Sequence, residues 1–203
     1  MDQRTDEWFQ ARLGKVTASR IVDVMAKTKT GYGATRAKYM DQLLDEIVTG
    51  QVTSGFSNAA MQHGIDTEPK ARAAYELITG NEVIEVGFCV HPEIHQAGAS
   101  PDGLVGDDGM IEIKCPNTST HREFLVSGKI DRKYYLQMQW QMACCDREWC
   151  DFVSFDDRLM DGAGHCKIKR VARSQVTIDE ITEEVMLFLK EINQKLRQFE
   201  EAL

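Results

Sequence analysis

Asp102, Glu112 and Lys114 stand around a Gly-rich turn in the stretch "GASPDGLVGDDGMIEIKCP", residues 98–116. Met110 to Cys115 alternates, which is the period of a half-buried strand. Ile111, Ile113 and Cys115 are then expected to face the core. Glu112 and Lys114 share the other face, roughly 7 Å apart at strand rise. The Gly-Asp-Asp-Gly run at 106–109 is a turn signal, so the chain can fold back and bring Asp102 beside Glu112. Adjacent carboxylates repel, and one takes up a proton unless a cation lies between them. Oxygen ligands of this kind suit Mg²⁺ or Mn²⁺. A lysine on the same face can polarise a bound water or stabilise a developing phosphoryl charge. The alternative reading of these residues is a surface hairpin with an ordinary Glu-Lys pair.

Something must hold that hairpin. In the apolar segment from Glu7 to about Ala26, Ser19 is expected to cap a helix. Lys27 to Gly33 reads as a basic loop and Ala34 to Val48 as a helix. Thr67 to Thr79 reads as a helix capped by Thr67, with Pro69 in its first turn and Gly80 ending it. That places Glu68 at a helix N-terminus, where the dipole favours a carboxylate. Ile84, Val86, Phe88 and Val90 alternate as a strand. Lys133 to Cys145 is a helix with Gln137 and Gln141 on one face. Trp149 to Phe155 and Lys167 to Arg173 read as strands. Thr177 and Glu180 form a capping box that opens a long helix with one apolar stripe, Ile181 to Phe199. This order predicts a three-layer α/β or α+β domain around a small mixed sheet.

With 203 residues, 42% hydrophobic and 28% charged, the chain suits one soluble domain with a real core. Within it lie a basic segment at about 10–40, a core at about 60–160 and an acidic helix at about 178–202. The first residues lack the apolar run of a signal peptide. No stretch approaches the roughly 18 apolar residues of a membrane span, so a cytoplasmic location and no membrane partner are expected. The six cysteines form no CxxC pair and read as reduced, mostly buried thiols. The net charge is −8, but its distribution matters more. Gln10 to Met40 carries seven cations and one acid, Asp23; Val176 to Leu203 carries seven acids against Lys190, Lys195 and Arg197. One end can meet phosphate while the other faces water or a basic partner.

"SPDGL" at 100–104 with "EIK" at 112–114 resembles the PD-(D/E)xK nuclease motif. "RLGKVTAS" at 12–19, "HGIDTEPKA" at 63–71, "EIKCP" at 112–116 and "YLQMQWQM" at 135–142 surround it. The set and its order resemble the phage lambda exonuclease family, alkaline exonucleases of the viral-recombinase type. The resemblance implies a restriction-endonuclease-like core and a 5′→3′ exonuclease that degrades one strand of linear duplex DNA. It implies a Mg²⁺ requirement (Mn²⁺ substituting) with two ions per site, and a trimeric ring. It also implies 3′ overhangs that serve a single-strand annealing recombinase. By motif, Asp102, Glu112 and the Ile113 carbonyl would be metal ligands, with Glu68 completing a second position. Lys114 would orient the attacking water, and Gln137 would hold that water or a metal-bound one. Arg12, Ser19 and Ser100 would bind the 5′ phosphate, and Met61 would stand where the family has a strand-splitting wedge. Other readings are an endonuclease or junction resolvase of the same superfamily, and a non-catalytic DNA-end-binding partner.

Overall fold

β7 (Gly109–Lys114) is the strand around which the described molecule is arranged, and it is buried on both faces. The structure is a computed structural model that describes residues 2–53, 59–160 and 164–203. β7 pairs antiparallel with β6 (Gly103–Val105) and parallel with β8 (Trp149–Phe155), and β8 pairs antiparallel with β9 (Cys166–Ala172). The mixed sheet has the order β6-β7-β8-β9. A parallel β7–β8 pair requires a crossover, which α5 (Thr118–Ser127) and α6 (Arg132–Cys145) supply. Gly106, at φ +56°, takes the left-handed turn between β6 and β7.

Two helices cover the two faces. α4 (Ala59–Thr79) lays Ala71 and Tyr75 on Val105, Ile111, Ile113, Val153 and Phe155. On the other face α6 packs Met138 and Met142 against Met110, Cys150 and Phe152. A second core lies beyond. There α2 (Ile21–Val24), α3 (Ala34–Thr49) and α7 (Gln175–Glu200) meet the far side of α6 around Ile21, Tyr39, Leu43, Trp140, Ile181 and Phe188. Each such fully buried apolar side chain contributes about 1.5–3 kcal/mol. β1 (Val16–Thr17), β4 (Cys89–Val90) and β5 (Ala97–Ala99) form a three-stranded sheet. β1 and β5 run parallel, with Thr17 opposite Gly98.

Several expectations need correction. Ser19 caps nothing: it is exposed inside a 3-10 turn, Ala18–Arg20, that prolongs β1. Lys27 to Gly33 is a small hairpin, β2 (Lys27–Thr28) with β3 (Gly31–Tyr32). α4 begins at least eight residues before the expected start, so Thr67 and Pro69 lie inside it and Glu68 is not at its N-terminus. Pro69 has no N–H for the carbonyl of Ile65, and a residue before proline resists the helical conformation. Packing of Ala71 and Tyr75 overrides that local preference. Ser174, not Thr177, caps α7. The run 84–90 contributes only β4 and a single bridge, Ile84 to Leu104. α5 was not foreseen. Among the described residues, no helix is long and apolar enough to cross a membrane.

The charge separation expected from sequence is also modified. α7 does not turn its acids away from the basic segment. Arg36, 3% exposed, makes a bidentate pair with Glu191, and Glu184 holds Lys27 and Tyr32.

Candidate active site

The register that pairs Gly103 with Ile111 sets Asp102 opposite Glu112. Asp102 Oδ2 accepts the Ile113 N–H at 2.6 Å, which fixes the carboxylate at the end of the hairpin. Glu112 is 1% exposed. Its Oε1 accepts Gln137 Nε2 at 2.7 Å and is paired with the Lys114 ammonium; its Oε2 accepts Gln141 Nε2 at 2.6 Å. The expected open face of β7 is therefore roofed by α6, whose i, i+4 glutamines reach down to the carboxylate. Gln137, expected to hold a water, is hydrogen-bonded here to the Glu112 carboxylate. Gln141 was not foreseen as a site residue, although its shared face with Gln137 was visible in the sequence. Lys114 also lies 5.2 Å from the Tyr134 ring centroid.

The electrostatics follow from burial. Asp102 is held well above the usual carboxylate range, first by desolvation and then by Glu112, with Glu68 adding to it; Lys114 and the Ile113 N–H offset only part. Burial pulls the Lys114 ammonium down, but Glu112 and Asp102 together outweigh it and hold its pKa above that of a free lysine. The Cys115 thiol is pushed up to about 12 by burial and by Glu68 and Asp102. With Asp102 and Glu112 both ionised, the pair carries more negative charge than the half-buried Lys114 neutralises. That is the demand a divalent cation meets, and the all-oxygen donor set fits Mg²⁺ or Mn²⁺.

Glu68 comes from the third turn of α4. Its Oε2 pairs with Arg4 Nη2 at 2.6 Å and its Oε1 with Arg72 Nη2 at 3.0 Å. Arg72 in turn holds Glu85 at 2.6 Å and reaches the Asp102 carbonyl at 3.4 Å. Among the described residues, no three His, Cys, Asp or Glu side chains are gathered in a metal-holding group. Glu68 lines the same cleft of about 820 Å³ as Asp102, Ile113, Lys114 and Met61. Met61 is 52% exposed on the first turn of α4.

A second cluster adjoins the first through Ser100, two residues before Asp102. Ser100 Oγ accepts Trp8 Nε1 at 2.9 Å and Arg12 Nη1 at 3.2 Å. Both contacts use the oxygen as acceptor, which leaves the hydroxyl proton to donate. Arg12 lies 4.1 Å from the Trp8 ring centroid and 5.9 Å from that of Phe88. Burial lowers its pKa, partly offset by Tyr39 and Glu46. Among the described residues no carboxylate forms an ion pair with Arg12. Parallel β1 and β5 end together, so Ser19 leaves the sheet at the same end as Ser100, although the two hydroxyls are not joined by a hydrogen bond.

Residues 7–148 match the YqaJ-like viral recombinase domain. The chain belongs to that family. Its fold is a mixed α/β arrangement of small sheets flanked by helices. It superimposes on the crystal structure of an alkaline exonuclease, LHK-Exo, from Laribacter hongkongensis, with 51% identity, a TM-score of 0.91, and coverage of 98% of this chain and 97% of that one. A second structure of LHK-Exo, in complex with dAMP, gives 52% identity at the same TM-score and coverage. A phage-related exonuclease from Haemophilus somnus shares the fold at 17% identity and a TM-score of 0.72, over 91% of this chain and 96% of that one. No curated protein matches the sequence. The fold is of the PD-(D/E)xK type that these phage exonucleases share.

Proposed function

We propose that the chain is a divalent-metal-dependent 5′→3′ exonuclease. In this reading it degrades one strand of linear duplex DNA to 5′ mononucleotides and leaves 3′ overhangs for single-strand annealing. Membership of the YqaJ-like family and likeness to an alkaline exonuclease support a nuclease acting on DNA. The observation that carries the metal requirement is the buried Asp102–Glu112 pair, while the polarity and products come from the family resemblance. The unbalanced charge of the pair calls for a cation at the point where Lys114 and the open cleft meet.

In this reading Asp102, Glu112, the Ile113 carbonyl and Glu68 hold the cations. When bound, two ions supply Lewis-acid stabilisation to the attacking and leaving oxygens of a phosphodiester. Gln137 and Gln141 fix Glu112 in one rotamer. Lys114, kept protonated by its neighbours, orients the attacking water and stabilises developing phosphoryl charge rather than accepting a proton. Attack at phosphorus breaks the bond to O3′ of the terminal nucleotide, and the shortened strand retains the phosphate as its new 5′ end. Arg12 and Ser100, with Ser19 at the same sheet end, receive that end. Met61 stands at the cleft where a terminal base pair would be parted.

A closed homotrimeric ring and an annealing protein as partner belong to the same proposal and rest on the family resemblance alone. The pairing of Arg36 and Lys27 with α7 removes part of the charge argument for a ring. Duplexes labelled at one 5′ or one 3′ end, with Mg²⁺ or EDTA and beside a closed circle, test the activity. Label should leave the 5′ end as mononucleotide in Mg²⁺ only, and the circle should stay intact. Cleavage of the circle would indicate an endonuclease. Binding without nucleotide release would indicate a non-catalytic end-binding protein. Light scattering at the mass of one chain would refute the ring.

A further inference from the structure

The segment before α1 (Asp6–Arg12) is tied across the rim of the cleft. Gln3 Nε2 donates to the carbonyls of Val86 at 3.0 Å and Pro101 at 2.8 Å, the second of these adjoining Asp102. Thr5 closes the turn: its hydroxyl donates to the Asp2 carbonyl and accepts the Trp8 N–H. Between these anchors Arg4 has φ +69°, a left-handed conformation that non-glycine residues adopt at a cost. The strained turn aims Arg4 inward, where Nη2 meets Glu68 Oε2. Its side chain is still 45% exposed.

The cations around this cleft differ in how firmly they are held. Arg72 bridges Glu68, Glu85 and the Asp102 carbonyl; Arg158 is fixed to Asp156 and the Pro116 carbonyl; Lys114 is half-buried against Glu112. Arg4 meets Glu68 through one nitrogen at the exposed rim, on a strap that is part of neither the sheet nor α4. A guanidinium carries five donors, and its fork matches a phosphate in geometry and charge. Glu68 Oε2 is also the oxygen that a cation would need if Glu68 is to join the metal ligands, because Arg72 covers Oε1.

We propose that Arg4 is a DNA-phosphate ligand carried on the N-terminal strap, and that it and a divalent cation compete for Glu68. This rests on the nuclease reading above. Arg4 is then a substrate-binding group whose resting partner is a metal ligand: occupancy of Glu68 by a cation releases the guanidinium to the incoming strand. The arrangement gives an opposite sign to two affinities that a purely structural arginine would lower together or leave alone.

Arg4→Ala separates them in two measurements that need no turnover. Calorimetric titration with Mn²⁺, without DNA, should show binding about two- to fivefold tighter than wild type, the scale of losing one exposed ion pair as competitor. Binding of a 5′-phosphorylated duplex end in Ca²⁺ should weaken about tenfold. The slope of log affinity against log salt should fall by about one phosphate contact. Gln3→Ala, which keeps the arginine but unties the strap, should weaken DNA binding in the same direction. Weaker Mn²⁺ binding in Arg4→Ala would make Arg4 a support for Glu68, and unchanged DNA affinity and slope would make the strap a structural tie; either result overturns the proposal. Failure of the wild-type protein to bind Mn²⁺ or DNA would instead overturn the nuclease reading itself.

Discussion

Gln141 Nε2 donates to Glu112 Oε2 at 2.6 Å while its own Oε1, buried, has no hydrogen-bond partner among the described residues. An orphaned buried carbonyl costs about 1–3 kcal/mol. The fold tolerates that cost to place a second amide donor on a buried carboxylate.

Gln141→Leu removes the donor and the orphan together. A hydrogen bond to a charged group contributes about 1.5–3 kcal/mol, so the two losses nearly cancel and denaturant stability should change by less than about 2 kcal/mol. Nuclease activity should nevertheless fall about 10–100-fold, as when the support of a metal ligand is removed. A stability loss that matches the activity loss would show that Gln141 is only a packing residue.

Asp102→Asn tests the charge balance through pH. Burial and Glu112 raise the Asp102 pKa, so the folded protein binds this proton more tightly than the unfolded chain does. The resulting stabilisation is fully present below the ordinary value of 3.8 and is lost as pH rises through the elevated folded value. In EDTA, wild type should therefore lose stability across that window, and the asparagine variant should lose less. Added Mg²⁺ should raise the Tm of wild type at neutral pH and scarcely move that of the variant. Thermal melts with and without the ion at several pH values decide it.

The hairpin, the Asp102–Glu112 pairing and the glutamine face of α6 were legible because period-two and period-3.6 patterns run through them. What was not legible follows from tertiary packing. Glu112 is buried rather than on an open face because α6 folds over it, and nothing in the "MIEIKC" alternation fixes what covers the polar side. α4 runs through Pro69 because Ala71 and Tyr75 are anchored in the core, against the local cue that placed a helix start at Thr67. Arg4 sits in a turn with a positive φ at a non-glycine residue, for which sequence offers no signal. α7 meets the basic segment because Ile181, Phe188 and Tyr39 share a core, which forces Glu191 onto Arg36.

Asp151 supplies a contrast on the same sheet. It is 2% exposed but fully answered: Arg170 binds both oxygens at 2.9 and 2.8 Å and Tyr75 donates to Oδ2 at 2.9 Å. Burial, reinforced by that hydrogen bond, pushes the Tyr75 hydroxyl up to about 12. Asp151→Ala strands the Tyr75 hydroxyl, while Arg170, 54% exposed, turns to water, so the change should cost about 1–3 kcal/mol. Because Asp151 faces α4 and Glu112 faces α6, activity per folded molecule should be preserved at low temperature. Unfolding by denaturant beside activity at matched folded fraction checks both halves.

The 5′ end is the last expectation. Arg12 is largely withdrawn from water, flanked by Trp8 and Phe88, and bonded to a serine hydroxyl instead of a carboxylate. A desolvated guanidinium without an anion is costly, and a terminal phosphate meets that need, with the spare Ser100 proton as a further donor. In the proposed reaction each cleavage regenerates a 5′ phosphate, so the group that positions one turnover recurs for the next. The sequence contains no GxxxxGK[ST] loop that would bring ATP to the task. A charged contact contributes about 1.5–3 kcal/mol, roughly 10–150-fold in rate if it is made mainly in the transition state. A linear duplex with 5′-hydroxyl ends should therefore be degraded at least about tenfold more slowly than its phosphorylated twin. Arg12→Ala should erase most of that difference while Mn²⁺ binding by calorimetry stays as in wild type. Equal wild-type rates on the two ends would show that the Arg12–Ser100 cluster only ties Trp8 to the sheet.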